Sequence, residues 1–73
     1  MAGREVEEVA VGEAGIRLGQ LLKLVGLIDT GGEAKWALAE GEVTVNGEVE
    51  RRRGLQLRAG DVVACRGRAV RLA

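Results

Sequence analysis

The stretch TGGEAKWALAEGEVTVNG, residues 30–47, holds a helix start, a helix end and a hairpin turn in close succession. Thr30 and Glu33 match the S/T-x-x-E capping box that opens a helix. Ala34, Ala37 and Leu38 then recur at i, i+3, i+4, which predicts an inward face of small residues, and Gly41 reads as a left-handed C-terminal cap. Directly beyond, Val43-Thr44-Val45 runs into Asn46-Gly47, a strong signal for a two-residue hairpin turn. A strict two-residue turn sets Val49 opposite Thr44 and not beside Val43 or Val45, so the register stands open between that pairing and one shifted by a bulge.

Working outward, Leu18, Leu21, Leu22 and Val25 fall at i, i+3, i+4, i+7 and predict an amphipathic helix over residues 16–25, with Gly26 ending it. Leu27, Ile28 and Asp29 join the two helices. Val6, Val9 and Val11 lie among acids and suggest a short N-terminal strand. After the hairpin, LQL (residues 55–57) reads as a short strand and GDVVACRGRAVRL (60–72) as two strands meeting near Arg66-Gly67. Two helices followed by a run of four or five short strands point to an α+β domain, with the sheet mostly antiparallel.

Seventy-three residues make one domain, and a chain this short buries only about 60% of its unfolded surface. The expected core is aliphatic: Leu18, Leu21, Leu22, Leu38, Val43, Val45, Leu57, Val62, Val63 and Val70. A single cysteine, Cys65, excludes an internal disulfide framework, and without histidine a zinc cluster lacks soft ligands. Cys65 is expected to behave as a buried small hydrophobe. The charged N-terminus (Arg4, Glu5, Glu7, Glu8) does not resemble a signal peptide, and no apolar run approaches the roughly 20 residues that span a bilayer. The expectation is a cytoplasmic, monomeric protein with no membrane partner.

Zero net charge hides a split. Residues 1–50 carry ten acids and four bases, whereas residues 51–73 carry seven arginines and only Asp61 as an acid. Such asymmetry suggests a basic surface suited to planar, bidentate anions such as phosphate. The bland alternative is that the arginines pair with the acids of the first half. Catalysis is not expected, because Cys65 has no histidine to activate it and no two of Glu40, Glu42, Glu48 and Glu50 stand out as an acid/base pair. Neither a metal nor a small-molecule cofactor is expected.

Anion binding has better support. Gly31 and Gly32 stand in the first turn of the second helix, where backbone N–H groups lack intrahelical partners and the dipole favours negative charge. Each glycine costs up to about 1 kcal/mol of helix stability relative to alanine, which close backbone approach by a phosphate would explain and a tight interhelical turn would explain equally. Lys35 and Trp36 follow at about 100° and 200° around the helix from Ala34 and so point away from the core. An exposed indole beside an ammonium can stack a nucleobase and meet a phosphate, though a lone tryptophan also serves as a protein contact. Arg51, Arg52 and Arg53 form the sharpest cationic cluster.

As an ordered set, Arg17-Leu18, Gly26, Thr30, Ala34-Lys35, Gly41 through Gly47 and Gly60-Asp61 resemble the RNA-binding domain named after small-subunit ribosomal protein S-four. The resemblance covers residues 17–63, with residues 1–15 left as an acidic strand or arm, and is nearest to the small stand-alone bacterial YbcJ type. It implies a two-helix αL motif packed on a small sheet and laid against structured RNA, ribosomal or tRNA-like. The family's basic contacts fall here on Arg17, Lys35 and Arg51 to Arg53. Where the family often carries Asp after Arg-Leu this chain has Gly19, and where it often carries Arg after Ser/Thr it has Gly31. The candidate RNA-binding set is Arg17, Lys23, Gly31, Gly32, Lys35, Trp36, Arg51, Arg52 and Arg53. A rival reading is a protein-interaction module anchored on Trp36, Leu27 and Ile28.

Overall fold

A computed structural model describes residues 6–28 and 30–73. The first five residues of the acidic arm and Asp29 in the interhelical connection lie outside that range. In chain order the elements are β1 (Val6–Val9), β2 (Ile16–Arg17), α1 (Leu18–Leu24), α2 (Gly31–Ala39), β3 (Val43–Val45), β4 (Glu48–Val49), β5 (Gln56–Leu57), β6 (Val62–Cys65) and β7 (Arg68–Leu72). Five strands form one sheet in the order β1-β7-β6-β3-β4, and β2 pairs separately with β5. The architecture is α+β. The main sheet is mixed, because β1 runs parallel to β7 while its other pairs are antiparallel.

The turns follow the local chemistry of the sequence. Asn46 (φ 53°) and Gly47 (φ 89°) both adopt left-handed backbone, as a two-residue turn with right-handed twist requires. Arg66 (φ 53°) and Gly67 (φ 81°) repeat this between β6 and β7. The first hairpin pairs Thr44 with Val49 and Val45 with Glu48, so its register is that of the strict two-residue turn and the alternative with a bulge does not hold. Val49 is consequently half-exposed. The Asn46 side chain fastens this turn to the next strand: its Oδ1 accepts from Val62 N–H at 2.9 Å and its Nδ2 donates to Asp61 Oδ1 at 3.1 Å.

Both helices cover one face of the main sheet. Register brings Val43 opposite Cys65 and Val63 opposite Val70 on that face. These residues meet Leu18, Leu21 and Leu22 from α1 and Ala34, Ala37 and Leu38 from α2 in one continuous core. Cys65 is buried there, and desolvation raises its thiol pKa. Val45 and Val62, expected in the core, are only half-buried, while Leu27, Ile28, Ala69 and Leu72 join the buried set. On the outer face, Val6, Ala69, Ala64, Thr44 and Val49 line up in one cross-strand row without an aromatic side chain.

Helix α1 begins two residues later than its apolar periodicity predicts, because Ile16 and Arg17 pair with Leu57 and Gln56 as a short strand. Both helices end on left-handed glycines, Gly26 and Gly41, each with φ 76°. At Gly41 the N–H donates to Leu38 O at 3.2 Å and the N–H of Glu42 to Ala37 O at 3.0 Å, which satisfies carbonyls that the helix end would otherwise leave open.

Candidate nucleic-acid interface

The connection from Glu50 to Leu55 determines the chemistry of the helical side. It lies across the start of α1, where Leu18 N–H donates to Leu55 O and Gly19 N–H to Arg53 O, both at 2.9 Å. Two N–H groups that a helix start normally leaves to solvent are thus satisfied by the connection's own carbonyls. Arg17 reinforces the junction by donating from Nη1 to Gly54 O at 2.7 Å, while its backbone N–H donates to Gln20 Oε1 at 3.1 Å. Gly19 is required sterically, since a Cβ there would collide with the aliphatic stem of Arg53.

This backbone path separates three arginines that are adjacent in sequence. Arg51 turns toward the end of α2, its Nε donating to Ala39 O at 3.4 Å, so that a cation sits where the helix dipole is negative. Arg52 folds back on Glu50, with its backbone N–H at 3.0 Å and its Nε at 2.9 Å from the carboxylate. Those contacts hold the Glu50 pKa down at about 2. Arg53 alone is directed over α1.

Two adjoining grooves result. The first, about 450 Å³, is lined by Arg17, Gly19, Gln20, Lys23, Ala34, Arg53 and Gly54. The second, about 590 Å³, is lined by Lys35, Leu38, Ala39, Arg51 and Arg53. Arg53 borders both, and among the described residues neither lining contains a carboxylate. Five cations of the candidate set, Arg17, Lys23, Lys35, Arg51 and Arg53, therefore gather on one side of the molecule.

The remaining candidates are positioned differently. Arg52 lines neither groove and is ion-paired with Glu50 at 2.9 Å. Gly31 opens α2, and Gly32 follows it with open space around the position of a Cβ and lines neither groove. At that helix end Thr30 caps as the sequence predicts, its Oγ1 accepting from Glu33 N–H at 3.1 Å. Trp36 is 55% exposed, outside both groove linings. Leu27 and Ile28, read as an exposed anchor beside Trp36, are instead core residues at 7% and 2% exposure, so that apolar patch does not exist.

The bland reading of the C-terminal arginines holds on the sheet side. Arg66 bridges Glu33 at 2.7 Å and Glu42 at 3.0 Å, Arg68 pairs with Glu7 at 2.7 Å, and Arg71 meets Glu8 at 3.5 Å. Charge is largely cancelled there, whereas among the described residues the groove cations pair with no acid. Gly19, Gln20 and Gly54, which the sequence reading did not assign to the site, belong to the first groove. A signal for Gln20 existed in the Arg17-x-x-Gln20 spacing, which forms a cap in the structure. Among the described residues no cluster of His, Cys, Asp or Glu could hold a metal ion, and no helix is long and apolar enough to cross a membrane.

Known proteins share this fold. The solution structure of Escherichia coli YbcJ, described as revealing an αL motif involved in RNA-binding, superposes with a TM-score of 0.72 at 36% identity, covering 100% of this chain and 96% of that one. In sequence the chain is 42% identical over 57 residues to E. coli YbcJ, named a putative RNA-binding protein, spanning 78% of this chain and 81% of the relative. It is 56% identical over 52 residues to a probable ribosome maturation protein, RlbA, of Bacillus subtilis, spanning 71% and 73% respectively. The S4 domain family matches residues 9–73, which takes in every element from the end of β1 to β7. With the ordered motif, the fold and nearly the whole length in agreement, this chain belongs to the S4 domain family.

Proposed function

We propose that this protein is a non-catalytic RNA-binding domain that grips structured RNA through backbone phosphates and shape. The observation that carries the reading is the sorting of charge: Arg66, Arg68 and Arg71 on the sheet side are paired with acids, whereas Arg17, Lys23, Lys35, Arg51 and Arg53 line two grooves that hold no carboxylate among the described residues. Phosphate contacts fix a protein on RNA without requiring base recognition. The outer sheet face carries no aromatic side chain to stack bases, which speaks against recognition across the sheet. The name of YbcJ, a putative RNA-binding protein, supports RNA as the polyanion, and that of RlbA, a probable ribosome maturation protein, supports a ribosomal setting.

The test uses Lys23, Lys35 and Arg53, the groove cations whose side chains make no hydrogen bond among the described residues. Replacing Lys23, Lys35 and Arg53 together by alanine should weaken binding to a structured RNA by about tenfold to a hundredfold, if each exposed contact contributes roughly 0.5–1 kcal/mol. The variant should retain its fold. Unchanged affinity would contradict the proposal.

A further inference from the structure

Trp36 is the chain's only aromatic residue, yet it contributes nothing to the core and stands more than half exposed on α2. On a helix, residues three and four apart are surface neighbours, so the indole adjoins Ala39 on one side and the turn of Gly32 on the other. Ala39, with Lys35 and Arg51, lines the second groove, and Trp36 therefore borders the cationic face. A Cβ at Gly32 would meet nothing within 4 Å, so the turn beside Trp36 is open space, and the side chain itself is 55% exposed. Beyond Trp36 stands the exposed Glu40, which repels phosphate and leaves the groove side as the approach for a nucleic-acid strand.

We infer that Trp36 stacks one unpaired nucleobase of the bound RNA while Lys35 and Arg51 hold that nucleotide's phosphate in the adjoining groove. This rests on the RNA-binding reading above and adds a chemical class to it: structured RNA bearing an extruded nucleotide. Bases in a continuous A-form stem are stacked on each other and present no free face, whereas a bulged base does. Stacking on an aromatic ring tolerates any base, so the site selects for an unpaired nucleotide and not for its identity.

The experiment titrates the protein with two RNA hairpins of the same stem, one carrying a single-nucleotide bulge and one fully paired, following Trp36 fluorescence and affinity together. The bulged hairpin should quench the emission and bind about tenfold more tightly, within the range for one base stacked on one aromatic side chain. Trp36→Leu should abolish that preference and leave affinity for the paired hairpin unchanged, and Trp36→Phe should keep part of it. Equal binding of the two hairpins without quenching would overturn the inference while leaving RNA binding intact. So would a Trp36→Leu variant that retains the preference or loses affinity for both RNAs equally. Binding to neither hairpin would overturn both readings.

Discussion

Arg53 rests directly on Gly19. The Gly19 N–H donates to the Arg53 carbonyl at 2.9 Å, and the arginine stem occupies the space that a Cβ on Gly19 would need. Gly19→Ala should therefore force Arg53 into another rotamer, at a cost of about 1–3 kcal/mol typical of an overfilled contact. Urea unfolding measures that loss, and RNA affinity should fall with it because the cation shared by both grooves has moved. An alanine variant as stable and as tight-binding as the parent would show that the contact positions nothing.

Adjacent arginines should behave differently. Arg53→Ala should weaken RNA binding and lower the salt dependence by about one phosphate's contribution, whereas Arg52→Ala should leave both nearly unchanged because Arg52 is committed to Glu50 and borders no groove. Parallel RNA titrations at several salt concentrations distinguish them.

Asp61 should matter to folding and not to binding. Its carboxylate accepts from Arg58 N–H at 2.9 Å and from Asn46 Nδ2 at 3.1 Å, joining the Asn-Gly turn to the Gly-Asp turn. Asp61→Ala should cost about 1–2 kcal/mol in chemical denaturation by leaving those donors without their acceptor. The salt slope of RNA binding should stay as in the parent.

Glu50 should titrate far below its usual range. Hydrogen bonds from the Arg52 side chain and backbone lower its pKa from 4.5 to about 2. Because the folded value lies below the unfolded one, the stabilisation is complete above pH 4.5 and is lost as pH falls from there through about 2. Carboxyl chemical shifts followed by NMR should show this midpoint, and Arg52→Ala should return it toward 4.5.

Much of the fold was legible because its boundaries are written in local chemistry. The caps at Thr30, Gly26 and Gly41 and the turns at Asn46-Gly47 and Arg66-Gly67 each need a particular residue type at a particular φ, and each lies where the sequence predicts. The short β2 strand was not legible, since Ile16 and Arg17 continue the periodicity of α1 and only the distant partner β5 draws them into a strand. Leu27 and Ile28 look like an exposed connection in sequence, but their burial depends on how the two helices close over the sheet. The same limit applies to the site. Composition identifies an excess of arginine, but apart from Arg52 beside Glu50, which arginines are neutralised depends on contacts 24 to 63 residues apart in the chain, such as Arg66 with Glu42 and Arg71 with Glu8.

The most direct test of the central claim is the salt dependence of binding to a structured RNA. Four or five phosphates engaged by Arg17, Lys23, Lys35, Arg51 and Arg53 predict a slope of log affinity against log salt of about −3 to −4, using roughly −0.7 per phosphate. A slope near zero would mean that these cations do not meet phosphate, and would contradict the account.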